Sequence, residues 1–427
     1  MKIHFVGIGG IGVSALARYF ATNNHEVSGS DIADSSLVQD LKKEGIAIHI
    51  GTDERFVPDD VEKVIYSVAV HPDNVELVKA KGLGVPILNY AEALGEVTKD
   101  HFTIAITGSH GKSTTTSMAA LMMIEAGLDP TVIVGTKLAE FNNTNFRKGE
   151  SQYLVIEADD FNRSFWNYTP QIATVLNVDA EHLDTYGDIT GVIDGFHQYL
   201  KNLPSDAKTI LNAKDQYTSK ISEDIKCQII YFNNEGDVLK WPLQLPGHFN
   251  QLNAEAAWQC VRQVGVTRAA AESALNKFHG VWRRLEPLEP KEGASDTLFF
   301  SDYGHHPTEI KATLEALRER YPDKELAVVF QPHQERRLTE LFEEFTKAFD
   351  AADQVILIPV YKVAGRDTEG GKTSEDLQKA ITHKNVEYCE DFNDALAKIN
   401  GGVVVFMGAG SIDALAKEHF RSILLPR

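Results

Sequence analysis

Short, mostly apolar runs alternate with segments of helical, amphipathic spacing along almost the whole chain. The run Val403–Met407, for example, is apolar at every position and is predicted to be a strand. Strands that alternate with helical segments are typical of α/β folds with parallel sheets. The pattern therefore predicts layers of parallel sheet covered by helices.

Three blocks of this alternation can be separated, and they predict three α/β domains over residues 1–98, 99–285 and 286–427. The polar stretch Thr98–Asp100 is the predicted hinge between the first two. The charged, proline-containing stretch Arg283–Gly293 precedes the strands of the third. The predicted strands are Ile3–Val6, Glu26–Ser30 and Lys63–Ser67, then Thr103–Ile106, Tyr153–Ile156 and Ile172–Leu176, then Leu298–Ser301, Glu325–Phe330, Gln354–Pro359 and Val403–Met407.

The composition limits the class of protein. At 427 residues, 43% hydrophobic and 24% charged, the chain is a globular protein too long for one ordinary core. Its net charge of −19 argues against general binding to nucleic acid or to an anionic membrane. No apolar run approaches the roughly 20 residues of a membrane span, and the first residues lack a signal-peptide pattern. The three cysteines, Cys227, Cys260 and Cys389, suggest no disulfide or zinc framework. We therefore expect a cytoplasmic enzyme that acts on small molecules.

The strongest single motif is the segment IAITGSHGKSTTT, which begins at Ile104. An apolar strand breaks at Gly108, a turn follows, and Lys112 opens a helix, so that successive N–H groups point at a bound phosphate. Lys112 can reach the outer phosphates of ATP, and Ser113 can offer its hydroxyl to Mg²⁺. Ile106 stands where the general P-loop pattern has its first glycine, so the loop is a variant of that pattern. The predicted ATP-binding residues of the loop are Gly108, Ser109, His110, Gly111, Lys112, Ser113 and Thr114.

A second glycine-rich turn, GIGGIG at 7–12, follows the first strand and opens a helix. It matches the dinucleotide-type pattern, and Asp31 ends the next strand near the position that contacts a ribose. Alone, this turn would suggest NAD. With a phosphate loop downstream, two phosphate sites in two domains are the better interpretation, one for the energy source and one for a nucleotide attached to the substrate.

Carboxylates and a histidine follow two strands of the predicted central sheet. Glu157 ends one strand, and Asp179 and His182 follow the next. The carboxyl end of a strand beside a P-loop is a favoured place for a Mg²⁺ ligand, so Ser113, Glu157 and His182 are the predicted metal ligands. The structural alternatives are an exposed acidic strand end and a solvated histidine.

These groups suit the activation of a carboxylate by ATP. The γ-phosphoryl group would pass to the carboxylate while Mg²⁺ and a lysine neutralise its charge. An amine then attacks the acyl phosphate through an oxyanion that again needs nearby cations. The predicted catalytic residues are Lys112, Glu157 and His182.

Taken together, these motifs resemble the Mur ligase family, and most closely its alanine-adding branch. The resemblance covers essentially the whole chain in the family's order, including the GIGGIG turn, the ATP loop and the segments EADD and NVDAEHLD around Glu157 and His182. It implies a Rossmann-like amino-terminal domain for a UDP-sugar, a central P-loop ATPase-type domain, and a carboxy-terminal Rossmann-like domain that closes on ATP and the amino acid. It further implies that L-alanine is joined to UDP-N-acetylmuramate in peptidoglycan precursor synthesis for the cell wall, with ATP and Mg²⁺.

The same resemblance implies roles for residues of this chain. Further matching segments are SVAVHPDN at Ser67–Asn74, GHFNQLNA at Gly247–Ala254, FHGVWRR at Phe278–Arg284 and DYGHHPTE at Asp302–Glu309. By resemblance, the UDP-sugar is held by Gly7, Gly9, Gly10, Gly12, Asp31, Ser67 and His71. ATP also meets Asn250, Asn253, Arg284 and Asp302, of which Asp302 would hold the ribose, and the amino acid meets Tyr303, His305, His333 and Arg337.

Three positions depart from the family pattern. Phe249 stands where the adenine motif has histidine, Asn162 where the region after EADD has aspartate, and Gln334 where the amino-acid segment has its first arginine. The first two departures indicate sequence divergence, while Gln334 affects the choice of amino-acid substrate. Arg337 stays in register, and Arg336 lies about 100° round a helix from it. We expect L-alanine to bind weakly, with glycine or L-serine as competitors, and Glu335 to face solvent or pair with an arginine.

Alternatives remain open at this point. Within the family, the murein tripeptide-recycling ligases share the GxGGxG start and a similar His-His-Pro segment, but their third domain differs where this chain has Phe330–His333. A nicotinamide-dependent oxidoreductase would explain the first turn but leaves Lys112, Glu157 and His182 without a role. A non-catalytic nucleotide sensor would retain the ATP loop but has little use for the acidic cluster.

Overall fold

The computed structural model describes residues 1–234, 240–293, 295–363, 367, 370–382 and 385–424, and it contains three β-sheets. The chain divides into two compact units, Met1–Val238 with Asn253–Leu275 and Leu239–Leu252 with Asn276–Arg427. The first unit contains the first two sheets, and the second unit contains the third. The predicted α/β class is confirmed, and the three domain boundaries stay predictions.

The first sheet is fully parallel. Its elements are β1 (Lys2–Val6), α1 (Ile11–Thr22), β2 (Glu26–Asp31), α2 (Ser36–Lys43), β3 (Ala47–Ile50), β4 (Lys63–Tyr66), α3 (Val75–Leu83), β5 (Ile87–Asn89) and α4 (Tyr90–Lys99). The strand order is β3-β2-β1-β4-β5. The order reverses between β1 and β4, which in open α/β sheets creates a crevice for ligands at the carboxyl ends of the strands.

The second sheet has seven strands in the order β12-β11-β10-β6-β9-β7-β8. Its pairings are parallel except for the β7–β8 hairpin. The elements of this region are β6 (Phe102–Thr107), α5 (Lys112–Glu125), β7 (Thr131–Leu138), β8 (Thr144–Arg147), β9 (Tyr153–Glu157), β10 (Ile172–Val175), α6 (Leu183–Tyr186), α7 (Ile189–Lys201), β11 (Lys208–Asn212), α8 (Thr218–Ile221), β12 (Gln228–Phe232), α9 (His248–Val261) and α10 (Arg268–Lys277). Strand β6 lies between β9 and β10, so the loops that follow these three strands meet at one edge.

The third sheet has the order β17-β16-β15-β18-β14-β13-β19, with β13 antiparallel to both neighbours. Its elements are β13 (Glu286–Pro290), β14 (Leu298–Asp302), α11 (Pro307–Arg320), β15 (Leu326–Phe330), α12 (Glu335–Glu340), α13 (Phe342–Phe345), β16 (Gln354–Leu357), α14 (Ser374–Ala380), β17 (Val386–Tyr388), α15 (Phe392–Ala397), β18 (Val403–Met407), α16 (Ile412–His419) and β19 (Phe420–Ser422). The stretch Arg283–Gly293, expected to lie outside the sheet, thus contains strand β13. The prediction of parallel layers was wrong for β8, β13 and β19.

The predicted hinge at Thr98–Asp100 is only partly a connection. Helix α4 continues to Lys99, and Thr98 is fully buried. The Thr98 hydroxyl accepts a hydrogen bond from the Thr169 amide at 3.4 Å, and its carbonyl accepts one from the Thr103 hydroxyl at 3.0 Å. These hydrogen bonds of Thr98 connect α4 to the second sheet. The polar character of Thr98 therefore does not indicate a solvated linker.

The described helices are short. The longest, α5, α9 and α11, have 14 residues each, whereas about 20 are needed to cross a bilayer. Across the described ranges, no helix has both the length and the apolar character that a membrane crossing requires. In the first unit, one hydrophobic cluster contains residues of both sheets, such as Phe5 and Ile156.

A buried polar network also connects the first two sheets. Arg18 on α1 is 4% exposed and donates to Glu44 at 2.7–3.0 Å and to the Asn145 side-chain oxygen at 2.6 Å. Asn145 on β8 is fully buried and donates to the Ile11 carbonyl and, at 3.0 Å, to the Ser14 hydroxyl. Because Ile11 begins α1, the network fixes the amino-terminal end of that helix against the second sheet.

We predict that Arg18→Ala weakens this connection. The change leaves Asn145 and Glu44 without their donor, and breaking a buried polar contact of this kind costs about 2–4 kcal/mol. The matched control is Arg55→Ala, because Arg55 is 84% exposed beside Asp53 and should change stability by less than about 0.5 kcal/mol. Urea unfolding of the two variants measures the difference. Equal midpoints would show that the network does not hold the sheets together.

Candidate functional site

The loop between β6 and α5 has the geometry of a phosphate-binding turn. Gly108 and Gly111 have φ angles of +137° and +85°, which side chains rarely adopt, and α5 begins at Lys112. A Cβ atom at Gly111 would lie 2.5 Å from the side-chain oxygen of Asn253. Asn253, which the resemblance places on the adenine side of ATP, therefore packs on the loop itself. The glycines are required by the backbone and by this close contact.

The ammonium group of Lys112 lies inside the loop. It donates to the Gly108 carbonyl at 2.7 Å, to the Ser109 carbonyl at 3.2 Å and to Asp160 Oδ1 at 2.7 Å. Burial lowers the pKa of Lys112, but the charges of Asp160 and Asp159 outweigh burial and raise the pKa overall. Lys112 is therefore a fixed positive charge. Asp160 is fully buried and was not among the predicted site residues.

Ser113 and Glu157 form a second pair beside this lysine. The Ser113 hydroxyl donates to Glu157 Oε1 at 3.0 Å, and the Gly135 amide donates to Oε2 at 2.7 Å. Burial raises the pKa of Glu157, and Lys112 opposes that shift only partly. A hydroxyl and a carboxylate in contact at the start of this helix have the chemistry of Mg²⁺ ligands, and their role as ligands stays a prediction.

His182 belongs to a different group of possible ligands from Glu157. One ligand atom each from Asp159, Asp160 and His182 lie within 4.8 Å of one another. Asp160 Oδ2 and His182 Nδ1 are buried and have no hydrogen-bond partner within the described ranges. Unsatisfied buried acceptors are costly, so a cation or its bound water fits this position. The run EADD contained the signal, but the sequence alone does not show which carboxylates face His182.

The loop after β10 braces the phosphate loop from the side. The Asn177 side-chain oxygen accepts from the His110 amide at 2.8 Å, and His110 Nε2 lies 2.9 Å from Asp179 Oδ2. The Ser109 hydroxyl accepts from the Asp179 amide at 2.8 Å. Asp179 therefore lies at the predicted edge of the sheet, where it supports the loop.

The first glycine turn lies at the crevice between β1 and β4. The Gly7 and Ile8 amides donate to the Ser30 carbonyl at 2.9 and 3.0 Å. The Gly9 amide donates to Asp31 Oδ2 at 2.8 Å. Asp31, expected to contact a ribose, thus braces the turn. A Cβ at Gly9 would lie 2.8 Å from that same oxygen, so a side chain would disturb this brace.

A fully buried group below the turn fixes Ser30. The Ser30 hydroxyl donates a hydrogen bond to Glu76 Oε2 at 2.7 Å, and His4 Nε2 lies 3.0 Å from the same oxygen. Ser67, at the end of β4, packs on Gly7, where a Cβ would lie 3.0 Å from the Ser67 Cβ. His71 in the same loop is exposed and contacts Asp73. The residues predicted to hold the UDP-sugar therefore share one edge of the first sheet.

In the second unit, the four predicted amino-acid-binding residues form one group. The rings of Tyr303 and His305 are 5.2 Å apart, and those of His305 and His333 are 6.1 Å apart. Arg337 Nη1 lies 3.3 Å from His333 Nδ1. Tyr361 stacks on His333 at 5.5 Å, a contact the sequence did not indicate because Tyr361 follows a different strand.

The segment after His333 shows that the prediction for Glu335 was wrong, and it gives the surroundings of Arg336 and Gln334. Glu335 is 8% exposed and pairs with Lys362 at 2.7 Å, so it neither faces solvent nor pairs with an arginine. Arg336 instead pairs with Glu340 at 2.7 Å on the helix surface. Gln334 is 6% exposed with φ of +70°, and its side-chain nitrogen has no hydrogen-bond partner among the described residues.

The remaining predicted ATP residues of this unit are engaged within it. Asp302 is buried, and its carboxylate accepts from the Leu285 amide at 2.8 Å and the Gly304 amide at 2.7 Å. Burial raises the pKa of Asp302, and Arg284 opposes that shift. Arg284 donates to Glu309 at 2.7 Å, and Asn250 donates to the Pro246 carbonyl at 2.7 Å. Their contacts with ATP stay predictions.

The other two departures have local explanations. Phe249 packs on Gly247, where a Cβ would lie 2.5 Å from its ring. Asn162 is exposed and has a φ of +52°, a conformation that asparagine adopts more readily than most residues. Neither departure alters the groups around Lys112.

Comparison with known proteins identifies relatives along the whole chain. Family models match three successive regions: "Mur ligase family, catalytic domain" over 2–102, "Mur ligase middle domain" over 106–241 and "Mur ligase, glutamate ligase domain" over 283–410. UDP-N-acetylmuramate–L-alanine ligases of Clostridium kluyveri and Clostridium tetani are 35% and 37% identical, with 96% of this chain and 96% of each relative covered. The crystal structure of a UDP-N-acetylmuramate-alanine ligase from Thermotoga maritima is similar with a TM-score of 0.80 at 28% identity, covering 98% of both chains.

We predict that Gly111→Ala weakens nucleotide binding at this loop. The new methyl group would meet Asn253 and would strain a residue with positive φ, so the loop amides would move. The control is Gly127→Ala at the other end of α5, where φ is +76° and nothing lies within 4 Å. Calorimetric titration with a non-hydrolysable ATP analogue should show at least about a tenfold loss of affinity for Gly111→Ala alone. Equal losses in both variants would contradict the assignment, because Gly127 lies outside the phosphate loop.

Proposed function

Because the chain belongs to the Mur ligase family of ATP-dependent ligases, we propose that it joins L-alanine to the carboxylate of UDP-N-acetylmuramate. The observation that carries this proposal is the position of Lys112 and Ser113 in a phosphate loop directly opposite Asp160 and Glu157. These groups are the ones that phosphoryl transfer to a carboxylate requires. The enzyme would act in the cytoplasm, on a peptidoglycan precursor.

The phosphate loop would hold the triphosphate of ATP. Its backbone amides and the start of α5 provide partial positive charge, and Lys112 adds a full charge. Lys112 now contacts the Gly108 and Ser109 carbonyls and Asp160, so a bound phosphate would take over part of this coordination. Lys112 would then add its positive charge to the bound triphosphate.

Two groups of side chains would hold Mg²⁺. Ser113 with Glu157 form one, and His182 with Asp159 and Asp160 form the other. Bound Mg²⁺ neutralises phosphate charge during the transfer. The unsatisfied atoms of Asp160 and His182 support the second position.

The reaction then follows from simple bond changes. A carboxylate oxygen of the muramoyl group attacks the γ-phosphorus, and ADP leaves with the electrons of the broken P–O bond. The amino group of L-alanine attacks the resulting acyl phosphate, loses a proton, and expels inorganic phosphate as the amide forms. Lys112 stabilises the phosphoryl charge in the first step, and no nucleophilic side chain is required.

The UDP-sugar would bind at the crevice of the first sheet. The first amides of α1, after Gly10, point out of the helix without partners inside it, as anion-binding helix starts do. Asp31 and Ser30 hold the turn in shape, so the glycines Gly7, Gly9, Gly10 and Gly12 would let the diphosphate approach the backbone. Ser67 and His71 would border the same crevice.

The amino acid would bind near Tyr303, His305, His333 and Arg337. Arg337 offers a planar guanidinium group suited to the carboxylate of L-alanine. Gln334 has lost the charge of the family's first arginine at this place, and Arg336 is occupied by Glu340. We therefore propose that L-alanine is the substrate and binds weakly, with glycine or L-serine as competitors.

The test is release of inorganic phosphate from ATP with UDP-N-acetylmuramate and each of the twenty amino acids. We expect release that depends on both substrates and is fastest with L-alanine. Turnover of NADH in place of ATP would establish the oxidoreductase alternative. Faster release with the tripeptide L-Ala-γ-D-Glu-meso-diaminopimelate than with L-alanine would establish the recycling ligase.

We predict that Lys112→Ala and Glu157→Ala each reduce ligation by about 10²-fold or more. The reason is the loss of a cation, or of a cation ligand, at the developing phosphoryl charge. Lys201→Ala on the exposed end of α7 is the control and should have wild-type activity. Circular dichroism verifies that each variant is folded. Near wild-type turnover of both site variants, at matched concentrations of ATP and Mg²⁺, would show that this loop is not the ATP site.

We also predict that Arg337→Ala raises the KM for L-alanine by at least about tenfold and leaves the KM values for ATP and the UDP-sugar nearly unchanged. The neighbouring Arg336→Ala is the matched control, because Arg336 pairs with Glu340 on the surface. Steady-state kinetics with each substrate varied in turn separates the effects. If Arg336→Ala raises the KM for L-alanine more than Arg337→Ala does, the family's second arginine corresponds to Arg336 and the assignment to Arg337 is wrong.

A further inference from the structure

Tyr90 lies where the first sheet meets the start of α4. Strand β5 ends at Asn89, which forms a capping box with Glu92, and Tyr90 is the first residue of the helix. The capping box fixes the backbone at this point. Because β5 is parallel to β4 and β1, Tyr90 lies at the same carboxyl edge as the Gly7–Gly12 turn.

The phenol ring of Tyr90 packs directly on Gly12. A Cβ at Gly12 would lie 2.7 Å from Cζ of Tyr90 and 2.9 Å from its hydroxyl oxygen. Any side chain at position 12 would therefore displace the ring. Gly12 is the second residue of α1, so its amide is one of the donors at the start of that helix that have no partner within it.

The Tyr90 hydroxyl has no hydrogen-bond partner among the described residues. Burial of the ring raises the pKa of Tyr90, and the charges of Asp159 and Glu157 raise it further. The phenol is therefore protonated at neutral pH and available as a donor.

We propose that the Tyr90 hydroxyl donates a hydrogen bond to the diphosphate of the UDP-sugar. This inference rests on the proposed function and adds a residue to the nucleotide-sugar site. A phosphate oxygen that accepts from the Gly12 amide at about 2.9 Å lies within reach of the hydroxyl, because ring and glycine are in contact. A diphosphate bound at the start of α1 is stabilised by hydrogen-bond donors, and the Tyr90 hydroxyl is a neutral donor at this position.

The test is Tyr90→Phe, which keeps the ring on Gly12 and removes only the hydroxyl. Calorimetric titration should show about a tenfold weaker affinity for both UDP and UDP-N-acetylmuramate, since each carries the diphosphate. In kinetics, the KM for the UDP-sugar should rise while the KM values for ATP and L-alanine stay unchanged. The control is Tyr19→Phe, a half-buried tyrosine later on the same helix as Gly12, which should bind both ligands as wild type does.

The outcomes separate this inference from the proposed function. Wild-type protein that binds and turns over UDP-N-acetylmuramate, with Tyr90→Phe equal to it, would show that Tyr90 only packs on Gly12. Weaker binding of UDP-N-acetylmuramate with unchanged binding of UDP would place the contact on the sugar and contradict the diphosphate assignment. A fall in kcat alone would place Tyr90 with Asp159 and Glu157. Wild-type protein that binds neither ligand would overturn the proposed function and this inference together.

Discussion

The ion pair between Lys112 and Asp160 is the interaction on which the central site depends. A fully buried carboxylate is costly unless a cation and hydrogen bonds compensate it, and here Lys112 provides the cation at 2.7 Å. The pair forms only because β6 and β9 are parallel neighbours, so the turn after one and the acidic run after the other meet at their carboxyl ends. The positive φ of Gly111 and the brace from Asp179 keep the loop in the shape that this pair requires.

The same principle explains how the two proposed phosphate sites can belong to one compact unit. Each lies where a parallel strand ends and a helix begins, and helix α1 connects them because its residues Arg18 and Ser14 bond to Asn145 of the second sheet. A UDP-sugar held at the start of α1 would thus be fixed relative to the phosphate loop. In a ligase this matters because the reacting carboxylate and the γ-phosphate must be held in a defined geometry.

Much of this arrangement was predictable from the sequence, and the failures have physical causes. The phosphate loop and its strand and helix could be predicted because the glycines and Lys112 restrict both backbone and chemistry. Strand β13 was missed because Pro287 and the charged residues around it are unusual in a strand that pairs with a neighbour on each side. Asp160 was missed because adjacent carboxylates look equivalent in a sequence, and only the turn after β9 decides which one is buried against Lys112. Glu335 was misjudged because its partner, Lys362, is supplied by a distant segment.

The most direct measurement is an isotope transfer with oxygen-18 in the lactyl carboxylate of UDP-N-acetylmuramate. We expect that the phosphate loop with Lys112 transfers the γ-phosphoryl group to that carboxylate. Ligation with ATP and L-alanine will then place the label in inorganic phosphate, and ATP will be converted to ADP. Label in AMP, accompanied by release of pyrophosphate, would contradict the proposed role of the loop, because the carboxylate would then have been activated at the α-phosphate.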